Sequence, residues 1–262
     1  MQIITAHSFR GGTGKTNIIA NLSYALAIRG KRVGILDADT AHPSLHIVFG
    51  LGDRQPAPTF AELLLGQCNE EDVIHDVSAM YGFQDQLYLI PSNLDEKIID
   101  QLLKLKKFNF NRIVNLIDSI GKEKHLDYLL IDTKPELDDR VLLYFFKTNI
   151  ALVVTRHDEA DIRGTKELLK IITRIPGYQI FLVPNMIVEE MAQEKTAIIE
   201  QEFEKYLGPR VCVTHPIPYS TVLSTVHAPH IDQLFIKKYP QDIFSTAIFQ
   251  LAGNLMTSKN SS

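Results

Sequence analysis

Residues 10–17 read Arg-Gly-Gly-Thr-Gly-Lys-Thr-Asn, and these are the groups that grip a polyphosphate. Glycine at 11, 12 and 14 lets main-chain N–H groups turn toward phosphate oxygens without interference from a Cβ. Lys15 suits the β- and γ-phosphates, and the Thr16 hydroxyl is a hard oxygen ligand for Mg²⁺. The common loop G-x-x-x-x-G-K-[ST] is missed at one place: its opening glycine would be residue 9, which is Phe. Carboxylates end two apolar runs further on. Asp37 and Asp39 close one of them, and their spacing predicts both on one side of a strand. Two carboxylates beside a polyphosphate are unfavourable unless a cation or polarised water lies between them. Asp132 closes the second run. Asn185 follows a third, and its amide carries the donor and acceptor that match an adenine edge. For Asp37 a structural hydrogen-bonding role stays open beside the metal role. Pro184-Asn185 also fits an ordinary turn.

These residues need elements to hold them, and the hydrophobic pattern supplies them. Short apolar runs at 3–9, 32–39, 87–92, 127–133, 149–156, 178–187 and 211–218 read as strands. Between them, 15–30, 95–108, 110–121, 160–174, about 191–207 and about 240–256 read as helices, the first with Ile18, Ile19, Leu22 and Leu26 at helical spacing and Gly30 as its stop. Strands apolar throughout are buried on both faces. The alternation therefore predicts an α/β fold, a doubly wound, mostly parallel sheet with helices on both faces. Ligands of such sheets bind beyond the C-terminal strand ends, where Arg10, Asp37, Asp39, Asp132 and Asn185 fall.

The formal net charge is −4, so no global field draws the molecule to DNA or anionic lipid, and such binding would need a local basic patch. Two cysteines, Cys68 and Cys212, are too few for a disulfide framework or an iron–sulfur motif and fit a reducing cytoplasm. The N-terminus has no signal-peptide pattern, and no apolar run is long enough to span a bilayer.

The run RGGTGKT resembles the deviant Walker A phosphate loop of the ParA/MinD family, whose usual form is K-G-G-x-G-K-[ST] and which requires no glycine at the position of Phe9. ILDAD (35–39), DYLLIDT (127–133), LVPNM (182–186) and PIPYS (216–220) resemble, in order, the family's second box, its Walker B strand, its adenine-recognition strand and the late loop that closes over the base. The resemblance runs from residue 1 to about 256. It implies one P-loop ATPase domain over 1–256 with a flexible tail over 257–262, working with ATP and Mg²⁺. It makes Lys15 and Asp39 catalytic, with Asp39 placing the hydrolytic water. Arg10, Gly11, Gly12, Thr13, Gly14, Lys15, Thr16 and Asn17 would surround the phosphates, and Asn185, with backbone near Pro218, would read the base. Thr16, Asp132 and, in one reading, Asp37 would hold Mg²⁺.

In that family the first residue of the box is a lysine that reaches across a nucleotide-sandwich homodimer to the partner's phosphates. Here it is Arg10, which keeps the charge but changes reach and geometry. Three readings follow. Arg10 acts in trans, which is favoured; or it acts in cis while Arg163 or Lys166 supplies the trans contact; or dimerisation is weak. A carboxysome-positioning subset of the family, the McdA type, also lacks that lysine. Lys134 and Glu136 depart from the family's small turn after Walker B, and Asn17 replaces its common Thr or Ser.

Family members also differ in the surface they occupy. The apolar segment 242–262 has Lys259 as its one basic residue, unlike a membrane-targeting helix. Arg163, Lys166, Lys170 and Arg174 fall at helical spacing on one stripe, with smaller clusters at 103–108 and at Lys237 and Lys238. The resemblance thus implies an ATPase, weak without a partner, whose ATP-bound dimer holds non-specific nucleoid DNA until a cargo adaptor stimulates hydrolysis. A MinD-like membrane-associated regulator of division or flagella is the second reading, and a metabolic ligase or synthetase of the same fold the third.

Overall fold

The computed structural model describes residues 1–51, 56–93, 95–104, 109–226 and 233–257. The end of the 103–108 cluster, Lys259 and the tail beyond Thr257 lie outside them. Nine strands form one sheet: β1 (Gln2–His7), β2 (Val33–Asp37), β3 (His75–Asp76), β4 (Leu87–Ile90), β5 (Tyr128–Asp132), β6 (Ile150–Thr155), β7 (Gln179–Ile187), β8 (Val211–Val213) and β9 (Ile217–Pro218). Their order is β3-β4-β2-β5-β1-β6-β7-β8, with β9 on the far end of β7. All pairs are parallel except β3 with β4. The helices are α1 (Lys15–Ala27), α2 (Leu45–Val48), α3 (Phe60–Leu65), α4 (Glu96–Lys104), α5 (Phe110–Glu123), α6 (Asp139–Lys147), α7 (Glu159–Ile172), α8 (Ala192–Phe203), α9 (Thr221–Thr225), α10 (Phe235–Lys238) and α11 (Ile243–Thr257).

Strand alternation divides the core in two. Ile4, Ile35, Leu89, Leu130 and Leu152 face α1, α10 and α11. Ile3, Leu36, Ile90 and Ile131 face α3 and α5, and Ala151, Val153, Ile180 and Leu182 face α6, α7 and α8. The predicted doubly wound sheet is therefore present, with helices on both faces. The α1 stripe Ile18, Ile19, Leu22 and Leu26 is fully buried. The helix ends at Ala27, ahead of Gly30, whose φ of +76° suits the turn that follows.

The structure corrects the sequence reading at several elements, among them the nine-residue helix α6, which the sequence reading did not mark. The first strand stops at His7, where the phosphate loop begins. The single strand expected over 211–218 is two: prolines at 216 and 218 lack the N–H a continuous ladder requires. β8 pairs with the start of β7 and β9 with its end. The helix expected from 191 to 207 is regular only over Ala192–Phe203, flanked by 3₁₀ turns. Helices α2 and α3 and strand β3 lie in a stretch where the periodicity carried no signal, because each is six residues or fewer.

Candidate functional site

The site gathers at the C-terminal ends of β1, β2, β5 and β7. Leaving β1, the chain turns through residues 8–14 and enters α1 directly at Lys15. Gly14 holds φ +89°, and no side chain caps the first turn of α1. A Cβ on Gly14 would collide with the Asn185 amide, so glycine is required there for space as well as for φ. Lys15 is 7% exposed. Burial pulls its pKa below the ordinary lysine value, while Asp132, Asp39 and Glu136 pull it back up. The Thr13 hydroxyl is buried without a hydrogen-bond partner among the described residues. Behind the loop, His7 is buried, its Nδ1 lies 2.7 Å from Thr133 Oγ1, and Thr133 Oγ1 donates to the Ala6 carbonyl at 2.8 Å. Because that hydroxyl proton is committed, His7 Nδ1 must be the donor. Burial, reinforced by Lys15, lowers the His7 pKa to about 3, so the ring adds no charge to the site.

The parallel register of β2 and β5 places Asp37 directly beside Asp132. Thr16 Oγ1 donates to Asp132 Oδ2 at 2.6 Å, and Ser44 Oγ lies 3.4 Å from Thr16 Oγ1. Asp132 Oδ1 is buried with no hydrogen bond among the described residues. An orphaned carboxylate oxygen next to a Thr hydroxyl, beside a buried lysine, fits a hard divalent cation and the phosphates it accompanies. Burial raises the Asp132 pKa from 3.8 to about 6, against the opposing pull of Thr16 and Lys15.

Asp37 and Asp39 do not share one side of a strand as their spacing suggested. The strand ends at Asp37 and the chain turns. Asp37 Oδ2 accepts from the N–H groups of Ser44 and Leu45, both at 3.1 Å, and Oδ1 from that of Asp39 at 3.3 Å. Asp37 is thus engaged in fixing the 38–44 loop and the start of α2. Burial, then the neighbouring Asp132 charge, holds its pKa well above the usual carboxylate range. Asp39 lies on that loop, its Oδ1 accepting from Ala41 N and His42 N.

Substituting Asp132 with Asn tests the cation-site assignment. Its carboxyl binds a proton more tightly in the folded state (about 6) than at the ordinary 3.8, so the stability it contributes is full below 3.8 and is lost as pH rises through 6. Asn cannot titrate. Without divalent cation, Asp132→Asn should exceed the wild type in urea denaturation by up to about 3 kcal/mol above pH 7. The gap should shrink toward pH 4, and Mg²⁺-dependent nucleotide affinity should fall in the same variant.

Asn185 sits within β7, at the bulge where pairing with β9 shifts register around Met186, a residue at φ +58°. Its Nδ2 donates to the Thr13 carbonyl at 2.7 Å, so one half of the amide expected to read the base holds the phosphate loop instead. Beside it is a cavity of about 150 Å³ lined by Met186, Pro218, Tyr219, Leu223 and Phe244, with Gly14 and Asn17 at its loop end. The apolar members were missed in the sequence because the bulge and α9 bring them together. Asn185→Ala leaves a buried carbonyl unpaired and should cost about 1–3 kcal/mol, read as a lower Tm.

Arg10 is held within its own chain, 3.3 Å from Asp158 Oδ1 and 3.3 Å from Asp161 Oδ1 at the start of α7. Phe9 lies flat against Gly164, where any Cβ would strike the ring. Phe9 and Arg10 together strap the phosphate loop to α7.

The basic stripe on α7 is half neutralised: Lys166 pairs with Glu202 and Lys170 with Glu167 at 2.6 Å. Arg163 and Arg174 are exposed. Lys237 donates to the Met80 carbonyl at 2.9 Å and lies over the Tyr81 ring, which ties α10 to the sheet edge. Lys238 is exposed. No helix among the described residues is long and apolar enough to cross a membrane.

A glycine turn between a central parallel strand and an uncapped helix, a buried Lys, and a Thr–Asp pair with a free oxygen define a P-loop nucleotide-binding site. A family model described as an AAA domain matches residues 1–180. The chain belongs to that family, among the ATPases of the ParA/MinD type. The flagellum site-determining protein YlxH of Helicobacter pylori is 26% identical over 267 aligned positions, covering 98% of this chain and 82% of YlxH. The cell division ATPase MinD of Pyrococcus furiosus superposes with a TM-score of 0.75 at 24% identity over 98% of each chain. Apo McdA of Cyanthece gives 0.73 at 17% identity over 98% of this chain and 99% of McdA.

Proposed function

We propose that this chain is a Mg²⁺-dependent ATPase that pairs with a second copy around two ATP molecules and serves as a positioning switch. The observation that carries the chemistry is the Asp132–Thr16 pair, with its orphaned oxygen beside the buried Lys15. Thr16 and Asp132 would hold Mg²⁺, which would supply positive charge against the phosphates of a bound nucleotide. Lys15 and the main chain of residues 11–16 bind the phosphates and stabilise charge on them during hydrolysis. Asp39 orients the attacking water, and the cavity beside Asn185 and Tyr219 takes the base. Residues 1–256 act as one ATPase domain. Arg10 is assigned the trans contact, released from Asp158 and Asp161 when two copies meet. If Arg10→Ala dimerises with ATP as the wild type does, Arg163 or Lys166 takes that role.

In this reading the ATP-bound dimer rests on nucleoid DNA through Arg163, Lys170 and Arg174, and a partner on the cargo stimulates hydrolysis and release. The exposed Lys170–Glu167 pair is worth little and opens readily to a phosphate. Filter binding at low salt should show ATP-dependent, sequence-independent DNA retention that falls steeply with added salt and is lost in Arg163→Glu/Arg174→Glu. Absence of retention with ATP defeats the DNA assignment while leaving the ATPase intact. The similarity to YlxH, a flagellum site-determining protein, favours the second reading, a membrane-associated regulator. Against it, α11 turns Phe244, Ile248, Leu251 and Leu255 into the core, leaving them unavailable to lipid. Co-sedimentation with anionic liposomes separates the two.

A further inference from the structure

A second, larger cavity of about 590 Å³ lies between α8 and α11. Ala192, Thr196 and Ala197 of α8 face Thr246 and Ala247 of α11, and these small side chains leave a groove where helices ordinarily interlock. Its floor includes Pro216 and Pro218, and its volume is in the range of sites that seat a ligand or several side chains. Apolar surface continues past its end at Val188 (46% exposed) and Met191 (37%). The Thr196 hydroxyl is out of solvent with no hydrogen-bond partner among the described residues.

The charge of the groove is one-sided. Glu189 and Glu200 line it beside His215, and among the described residues no Lys or Arg does. Residues 189–204 hold six glutamates against Lys195 alone. Glu194 and Glu202 are paired with Lys195 and Lys166, whereas Glu189 and Glu200 have no ion pair among the described residues. We propose that this groove seats a basic amphipathic helix of a protein partner. Its apolar side chains enter between α8 and α11, and its Lys or Arg residues meet Glu189 and Glu200. A free metabolite would not require apolar surface running on to Val188 and Met191, and an anionic membrane would be repelled by the two carboxylates.

The groove shares a wall with the nucleotide site. Pro218 lines both cavities. Tyr219 N donates to the Ile187 carbonyl at 2.9 Å, and Ser220 Oγ to Asp242 at 2.9 Å, just ahead of α11. A helix seated between α8 and α11 therefore presses on the residues that frame the base, and its occupancy and ATP affinity shift each other by the same factor. That coupling rests on the ATPase reading; the docking itself does not.

The test uses a fluorescein-labelled synthetic amphipathic peptide of Leu and Lys, and its Leu–Glu counterpart, in anisotropy titrations with the full chain. The basic peptide should bind without nucleotide. Binding should weaken at least about tenfold in Glu189→Lys/Glu200→Lys and in Ala197→Trp, which fills the groove, and stay unchanged in Glu71→Lys/Glu123→Lys, the same charge change elsewhere. Ala197 is exposed, so the Trp variant should keep the wild-type Tm. Equal binding of both peptides, or equal loss in the groove and control variants, overturns the proposal. So does a groove variant that alters binding to phosphatidylglycerol vesicles and not to the peptide. Lys15→Ala should bind the peptide as the wild type does. If ATP shifts peptide affinity in the wild type and not in Lys15→Ala, the coupling holds; if ATP has no effect while the groove variants still lose the peptide, the nucleotide link fails and the docking site stands.

Discussion

Lys15→Ala should lose ATP binding, with hydrolysis reduced by roughly 10²- to 10³-fold or more. Lys15 is the buried cation of a site that otherwise holds the carboxylates Asp132 and Asp39, and it is 7% exposed. Burial works against its charge, and the carboxylates restore it. A buried cation already stripped of water has paid its desolvation before it meets phosphate oxygens. With Ala, phosphates would approach Asp132 and Asp39 with no compensating charge. Lys15 also lowers the Asp132 pKa, so its loss should move that group above 6 and steepen the pH dependence of apo-protein stability between pH 5 and 7. Lys15→Arg keeps the charge, but a planar guanidinium is larger than an ammonium and this side chain is buried, so it should not rescue binding. Isothermal titration with ATP and Mg²⁺ checks this. An Ala variant that binds ATP within about threefold of the wild type would remove Lys15 from the phosphate site, since a lost charged contact costs more.

How far the sequence could carry this site follows from the reach of each contact. The loop was legible because its parts are contiguous: Gly14 and Lys15 form the junction of one strand and one helix. The doubly wound sheet was legible because its strands are apolar on both faces, which water forbids elsewhere. Asp37 was ambiguous for a physical reason. Its partners, Ser44 and Leu45, lie seven and eight residues on, across a loop whose path no periodicity encodes. Asn185 donating to Thr13, a separation of 172, and Arg10 reaching Asp158, a separation of 148, exist only once the sheet is assembled. The same holds for the α7 stripe. Helical spacing groups Arg163, Lys166 and Lys170 on α7, with Arg174 just past its end, but the carboxylate that pairs with Lys166 arrives from α8, 36 residues away.

Asp39→Asn should bind ATP within about threefold of the wild type and lose about 10²- to 10⁴-fold in hydrolysis, the range for a positioned proton acceptor. Asp39 does two things that this substitution separates. Its Oδ1 holds the turn through Ala41 N at 3.2 Å and His42 N at 2.9 Å, which an amide oxygen reproduces. Its negative charge, close enough to raise the pKa values of both Lys15 and Asp132, is lost. Asp39→Ala removes both, so it should add a fall in Tm from the loosened turn to the same catalytic loss. The next residue, Thr40, accepts from Arg140 Nη1 at 3.2 Å, so the loop stays tied to the segment after β5 even in the Ala variant. Both variants should therefore still assemble with ATP and, lacking turnover, remain assembled, eluting as dimers in size exclusion with ATP and Mg²⁺ for as long as nucleotide is present. The wild type should return to monomer as ATP is consumed. If Asp39→Asn hydrolyses ATP at the wild-type rate, the carboxylate serves only the turn and the water is placed by another group, for which Glu136, whose charge also acts on Lys15, is the next candidate to substitute.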